Sequence, residues 1–421
     1  MNTIYSEFQE QFHVSSVRSF PEEWDKKTLL DAVGMKKDLI VAGPFGSNLK
    51  VSDYMDEGIP IIRLQNIDYG KFIDKEIKYI SHEKARELAY HSFRAGDLVL
   101  AKLGDPIGKT CIVPDYFKDG IVVADVVRVR VADGLVDKKF IMYSLNSVAT
   151  KNQLINGAIG STRPRVNLDQ IRDIQILVPP LNEQRKIAAI LSSVDAAIEQ
   201  TDAIIAQTER MKTGLMQELF AKKFDIAKLG DCSFKPEYGY TTSAIFQPVG
   251  PKFIRITDLK DDGVDWASVP HCTCDEYVLK KYLLKPGDII FARIGATTGK
   301  NYLIKENINC IFASYLIRIR CKDMLLPDFL YQFLKTSAYW NQINANKSGR
   351  LKEGINIPLL NGILIPLPSI QEQKKISLIL SSIDERLDGE KKYRERLKKL
   401  KLGLMQDLLN GRVRVKVDGN V

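Results

Sequence analysis

Hydrophobic positions recur at helical spacing in two stretches of the chain. Ile187, Ile190, Leu191, Val194, Ile198, Ile205, Leu215 and Leu219 line one face of the first. Ile376, Ile379, Leu380, Ile383, Leu387, Leu397, Leu404 and Leu408 do so in the second. Pro179-Pro180 and Pro366 stop a helix from running in upstream, and Ser369 with Glu372 forms an S-x-x-E capping box. No proline falls between Leu181 and Pro236, and none follows Ile370. About 40 residues of helix would span about 60 Å, longer than one globule requires. A near-heptad seam flanked by charged runs such as EKKYRERLKK predicts a coiled coil. Gly214 and Gly403 sit inside the pattern at matching places, which predicts a close backbone approach or a bend.

Between these stretches the pattern changes. IPIIRL, GDLVLAKL, GIVVADVVRVRV, FIRI, GDIIFARI and CIFASYLIRIR are β-branched runs bounded by Gly, Pro and Asp, and they read as strands. KKFIMYSLNSVAT and PDFLYQFLKTSAYWNQI read as helices. Self-comparison then organises the chain. Pro179–Asp195 matches Pro368–Asp384 at ten of 17 positions, with a constant offset of 189. The same offset carries KTGLMQELF onto KLGLMQDLL. FRAGDLVLAKLGDPIGK pairs with LKPGDIIFARIGATTGK at offset 191, and IPIIRLQNI with PKFIRITDL at 192. WDKKTLLDAV pairs loosely with FDIAKLGDCS. One long unit is used twice. The expected organisation is an extension over 1–22, globular domains over 23–178 and 223–366, helices over 179–222 and 367–411, and a tail over 412–421. The expected fold class is α+β: two mixed α/β domains joined by two long helices that an internal twofold would make antiparallel.

Composition narrows the class without naming it. The 421 residues are 45% hydrophobic and 27% charged, an ordinary globular balance. Lys and Arg number 61 against 52 Asp and Glu, and the net charge of +9 suits a polyanion partner. No apolar run reaches the roughly 18 residues of a membrane span, and MNTIYSEFQEQF lacks the pattern of a signal peptide. A cytoplasmic protein is expected, and its six cysteines should be reduced thiols. His271-Cys272-Thr273-Cys274 lacks the spacing and the second ligand pair of a zinc site, so no metal is expected.

PPLNEQRKIAAILSSVD, PSIQEQKKISLILSSID and the two GLMQ-(E/D)-L segments resemble the helical hallmark of the DNA-specificity (S) subunits of type I restriction–modification systems. PFGSNL, YGYTTSA, FIRITDL and the two GD-x-x-x-A-(K/R)-x-G-x-x-x-GK blocks are similar to that family's target-recognition domains. The resemblance covers essentially the whole chain in the order domain, helix, domain, helix; the first 20 or so residues lie outside it. It implies an antiparallel helix pair holding the domains apart and a bipartite target on double-stranded DNA. It also implies docking of two methyltransferase (M) subunits, with restriction (R) subunits joining in the full enzyme.

Residue chemistry supports binding rather than catalysis. GDPIGKT has three residues between its glycines where a phosphate loop needs four, and GATTGKN lacks the Ser or Thr that would hold magnesium. No glycine-rich cofactor loop or Asn/Asp-Pro-Pro-aromatic tetrapeptide occurs, so S-adenosylmethionine is expected on the partner subunits and no cofactor on this chain. No duplicated carboxylate–lysine cluster suggests a nuclease. Candidate DNA contacts are polar side chains between strands. Lys102, Lys109, Arg293 and Lys300, with Thr297 and Thr298, belong to the repeated glycine loops and suit phosphates. Arg63, Gln65 and Asn66 match Arg255, Thr257 and Asp258, types able to read base edges. Tyr238, Tyr240, Thr241 and Thr242 form one polar–aromatic loop, and Ser47, Asn48 and Lys50 hold a similar place in the first half. Arg163 and Arg165 align with Arg350 and Lys352 just before the helices. The rival reading is a stand-alone DNA-binding or coiled-coil scaffold protein with no methyltransferase partner.

Overall fold

The structure, a computed structural model, describes residues 20–44, 46–160, 164–260, 263–347 and 354–416. It divides into two compact units. One holds residues 1–201 with 393–421; the other holds 202–392. Two helices of equal length, Leu181–Phe220 and Ile370–Leu409, cross from one unit to the other, each 40 residues long. Each unit is therefore a globular head plus the front of one long helix and the back of the other.

Inside each unit the two helix segments run antiparallel. In the first, Lys401 Nζ lies 2.6 Å from Asp195, while Ile187 and Leu191 share a core with Leu408 and Leu409, so rising numbers on one helix meet falling numbers on the other. In the second, Lys212 pairs with Asp384, Lys391 Nζ lies 2.8 Å from Glu209 and Lys222 Nζ 2.8 Å from Glu372. Asp195 and Asp384 are repeat equivalents, as are Lys212 and Lys401, so one contact is built twice with the helices exchanging roles. The apolar seam does its work within each unit. Ile187, Leu191, Leu408 and Leu409 join the core of Trp24 and Phe140, while Met216, Leu219, Ile376 and Leu380 join that of Phe329 and Ile363. Gly214 and Gly403 depart from expectation: a Cβ on either would meet no atom within 4 Å, and both helices continue unbroken through them. Within this chain they mark no close approach.

In the first head, Asp25–Thr28 pairs antiparallel with Gln175–Val178, the strand that delivers the chain into the long helix. One four-stranded antiparallel sheet has the order Ile40–Ala42, Val126–Val129, Leu98–Ala101, Thr110–Ile112. A second has the order Lys78–Ile80, Ile59–Ile62, Gly120–Val122, Ser92–Phe93, with a parallel central pair. The second head repeats this frame. Ile226–Lys228 pairs with Leu364–Pro366; Glu237–Tyr238, Leu316–Ile319, Ile289–Ala292 and Asn301–Leu303 form the antiparallel sheet; Lys252–Ile254 lies parallel to Cys310–Phe312. Leu98–Ala101 and Ile289–Ala292 are buried at every residue because alternate side chains face two different cores. Leu98 and Leu100 enter one and Val99 the other; Ile289 and Phe291 part from Ile290 and Ala292 in the same way.

Each expected helix after the sheet is two helices. Lys138–Leu145 ends before Ser147, whose hydroxyl accepts the Thr150 N–H at 3.2 Å and caps Val148–Gly157. Pro327–Phe333 and Ser337–Lys347 part at Thr336, whose hydroxyl accepts the Tyr339 N–H at 3.4 Å. A hydroxyl that satisfies the first free amides restarts a helix, and apolar periodicity alone does not show it. Among the described residues no helix is long and apolar enough to cross a membrane, and no group of His, Cys, Asp and Glu could hold a metal. The Cys272 thiol is buried, and burial pushes it up to about 11.

A candidate nucleic-acid interface at one end of each sheet

Strand register gathers the candidate residues at one end of each head. In the first, Ala42 lies opposite Val127, Val126 opposite Ala101, and Leu100 opposite Thr110. Past those ends come the loop that begins at Gly43, the corner at Asp125, Lys102 and Lys109. Arg63 follows Ile62, whose carbonyl accepts the Val123 N–H at 3.1 Å, so it leaves from the same corner. Arg165 is tied in through Val166, whose N–H donates to the Lys102 carbonyl at 3.1 Å. Gly43 permits the turn: a Cβ there would stand 2.1 Å from the Val123 carbonyl carbon. Gly239 does the same at Ala313 in the second head, 2.2 Å from its carbonyl oxygen. That equivalence aligns the Gly43–Lys50 loop with YGYTTSA.

The charges at this end of the first head form a network. Arg165 is exposed and holds the Asp125 carboxylate through Nε at 3.0 Å and through Nη2. Asp125 has φ of 71°, a left-handed residue at the corner. Burial lowers the Lys102 pKa, Asp125 opposes that shift and Arg165 adds to it. Lys109 Nζ lies 2.9 Å from Asp68 and 5.7 Å from the centre of the Tyr69 ring. Arg63 donates to the Glu76 carbonyl, and Gln65 to the Glu76 carboxylate at 3.2 Å. Ser47, Asn48 and Lys50 are exposed, with Ser47 bonded to Asn48 at 3.3 Å.

The second head fills the same frame differently. Arg293 replaces Lys102 and Tyr315 replaces Asp125; because the Ile355 N–H donates to the Arg293 carbonyl as that of Val166 does to Lys102, Gly354 stands where Arg165 does, which corrects the expected match of Arg165 with Arg350 and Lys352. The Arg293 guanidinium lies 4.8 Å from the centre of the Tyr238 ring, and the Tyr238 hydroxyl accepts the Ile357 N–H at 3.4 Å. Tyr240 packs against Tyr282 at 5.6 Å, Thr241 is exposed and Thr242 half-buried. The Thr297 hydroxyl is buried without a partner among the described residues. Lys300 is half-buried beside it.

Three candidates have structural duties. Asn66 is fully buried: its side-chain oxygen accepts the Arg63 N–H at 3.0 Å, and its amide donates to the Ile73 and Lys75 carbonyls. Asp258 holds the equivalent turn, accepting the Arg255 N–H at 2.8 Å and binding that guanidinium at 2.9 and 3.1 Å. Thr298 is buried and closes its turn on the Gly295 carbonyl at 2.6 Å. Asn66 and Thr298 are thus buried in the turns that carry Arg63 and Thr297, and Asp258 holds the turn that carries Thr257, so their polar atoms are already engaged within the fold. Arg163, Arg350 and Lys352 lie outside the described residues. Asp125, Tyr315 and the exposed Phe246, 5.8 Å from the Arg255 guanidinium, were not singled out from sequence. The change from Asp125 to Tyr315 within otherwise matching strands was the available signal.

The opposite end of each sheet is closed by charges that serve the fold. Asp97 accepts Arg130 at 2.7 and 3.0 Å, and Asp288 accepts Arg320 at 2.7 and 3.0 Å. Arg128 and Arg318 are buried strand residues; the Arg128 guanidinium donates to the Ser92 and Asp38 carbonyls, and that of Arg318 to the Leu283 carbonyl and the Glu237 carboxylate.

Two equivalent heads, each with one polar, cation-bearing sheet end, on a shared pair of long helices define a duplicated binding protein. The family model of the type I restriction modification DNA specificity domain matches residues 21–210 and 253–399, and the chain belongs to that family of specificity subunits. It is 26% identical over 432 residues to the type I restriction enzyme MjaVIII specificity subunit of Methanocaldococcus jannaschii, which covers 94% of both chains. It is 22% identical to the EcoKI specificity subunit of Escherichia coli, across 86% of this chain and 82% of that one. The crystal structure of the type I restriction–modification S subunit from M. genitalium superposes with a TM-score of 0.60 over 94% of this chain and 98% of that one, at 16% identity. A chain from a study of complex assembly and conformational transition of the type I system gives 0.55 over 94% and 100%, at 17% identity. Those two likenesses are of fold.

Proposed function

We propose that this chain is the non-catalytic reader of a type I restriction–modification complex, each head taking one half of a split target on double-stranded DNA. Two methyltransferase subunits dock on the long helices, carry the S-adenosylmethionine and flip the adenines to be methylated. Restriction subunits complete the cleaving assembly, and the complex works in the cytoplasm. On this reading the helices act as a ruler, and helix length sets the gap between half-sites.

The observation that carries this reading is the repeated sheet end. One frame, built twice from the same turns, presents Lys102, Asp125 and Arg165 in one head and Arg293, Tyr315 and Tyr238 in the other. A duplicated frame with different polar side chains suits a target in two unlike halves. The net charge of +9 suits the phosphate backbone.

The test is to sequence methylated adenines in cells carrying the chain with its partners, before and after the Tyr238–Ala244 loop is exchanged for the matching loop of a relative. One half of the methylated motif should change and the other should stay. A motif altered in both halves, or in neither, contradicts the assignment. Co-purification with a methyltransferase subunit separates this reading from a protein that binds DNA alone.

A further inference from the structure

We infer that Arg293 reads a guanine in the half-site faced by the second head, its guanidinium held by the Tyr238 ring for the O6 and N7 acceptors. This rests on the DNA-specificity reading given above. The position is unusually well fixed for a surface cation. Its backbone N–H donates to the Tyr315 carbonyl at 3.0 Å, and its carbonyl accepts the Ile355 N–H at 2.8 Å. The guanidinium then lies over the Tyr238 ring, 4.8 Å from its centre, and Tyr238 is itself bonded to Ile357. A planar cation on a held ring has lost most of its rotamer freedom before any ligand arrives, so binding costs little further order.

The donors of Arg293 are also unspent. Among the described residues its guanidinium meets no carboxylate and no carbonyl, and Nε is buried without a partner. The Nη pair is what remains to donate. Other arginines at the sheet ends differ: Arg63 is bonded to Glu76, Arg165 to Asp125 and Arg255 to Asp258. A planar fork of two donors matches the two major-groove acceptors of guanine, a geometry the lysine ammonium meets less well.

A phosphate oxygen pair would also accept this fork. The duplication favours the base. Phosphates are the same in every sequence, and Lys109 and Lys300 are the same residue in both heads. Position 293 is not kept: the first head has Lys102 there, beside Asp125 and Arg165, where the second has Tyr315 and Gly354. A contact whose chemistry changes between heads suits a part of the target that changes between half-sites.

The experiment compares the methylated motifs left in cells by the full chain, with its partner subunits, as wild type, Arg293→Ala, Arg293→Lys and Tyr238→Ala. The wild-type motif should contain guanine at one position of the half-site that the loop exchange assigns to the second head. Arg293→Ala should cut the preference for guanine there on the order of 10- to 100-fold while leaving every other position alone. Arg293→Lys should relax the same position, and Tyr238→Ala, which removes the ring under the guanidinium, should weaken the guanine preference at that position and at no other. Uniform weakening on all sequences, with a salt slope lower by about one, would make Arg293 a phosphate contact and overturn the inference. So would an unchanged motif in Arg293→Ala. Failure of the underlying reading looks different: the wild-type chain would then leave no bipartite methylated motif at all.

Discussion

The two ends of each sheet carry similar amounts of charge and put it to opposite uses. At the end closed by Asp97 and Arg130, and by Asp288 and Arg320, the same ion pair occurs in both heads and both carboxylates are buried. At the other end the backbone frame is kept while the side chains change, from Asp125 to Tyr315 and from Lys102 to Arg293. The turn-forming residues inside that variable end, Asn66 and Asp258, cap the same turn with the same bond to the preceding backbone amide. Duplication thus separates charges that hold the frame from charges the frame presents. A pattern of charged residues in sequence does not make that division; burial and bonding partners do.

The largest expected effects come from disturbing what the frame rests on. Both compact units divide inside the long helices, after Thr201 and after Lys392. On the proposed reading, four residues added near Gln200 and four near Lys391 lengthen both helices by about 6 Å and turn the seam only about 40° past a full turn. DNA rises about 3.4 Å per base pair, so the unread spacer of the methylated motif should grow by roughly two base pairs. Two-residue insertions rotate the seam by about 200° and should abolish folding or methylation outright. An active four-residue variant that kept its original spacer would refute the ruler and leave the reading heads untouched.

Next come the retained charges. Asp288→Ala strands Arg320, while the buried Arg318 keeps Glu237 and the Leu283 carbonyl, and should cost about 3 kcal/mol in denaturant unfolding, the low end for a broken buried pair because Arg320 stays partly exposed. The base-preference pattern of any surviving complex should not change. Asp384 offers a milder, pH-dependent case. Burial pushes its carboxyl up, but Lys335, Gln332 and Lys212 outweigh that and hold it at about 2, below its ordinary 3.8. A lowered carboxylate stabilises the fold fully above its unfolded value and loses that contribution as pH falls through the folded one. Asp384→Asn should therefore cost about 2 kcal/mol at pH 7, with the gap to wild type closing between roughly pH 4 and pH 2. A gap that stayed constant over that window would contradict the assignment.

Much of the frame was legible in the sequence because it is written twice. The helix pair, the strand-forming runs and the equivalence of the glycine loops all follow from one repeat, and the loose match of Trp24 with Phe224 marks a strand that really pairs in both heads. The breaks at Ser147 and Thr336 were not legible, since a hydroxyl cap leaves the apolar pattern intact. Gly214 and Gly403 misled for a related reason: a repeated glycine has more explanations than a close approach, and here both face open space. The candidate site was legible as a set of loops but not residue by residue. Asn66 and Gln65 are neighbouring amides of similar chemistry, yet one is fully buried in its turn and the other exposed. Only register and bonding separate them.

The smallest effect separates Lys109 from a simple phosphate contact. Its ammonium is already paired with Asp68 at 2.9 Å, with the lysine side chain 31% and the aspartate 48% exposed. A pair this exposed contributes about 0.5 kcal/mol to folding, so neither residue is needed for the frame. Toward DNA the arrangement acts differently. Binding a phosphate requires Lys109 to leave Asp68, or leaves a carboxylate near the phosphate, and either way part of the attraction is lost. Lys109→Ala should then lower the salt slope of DNA binding by less than one, where an unpaired lysine would lower it by about one. Asp68→Asn should do the reverse, raising affinity on all sequences and steepening the slope without altering the methylated motif. If Asp68→Asn instead weakened binding, the carboxylate would be positioning Lys109 rather than restraining it. The pair would then belong with Asn66 and Asp258, among the residues that build the reading end, and not with those that face the DNA.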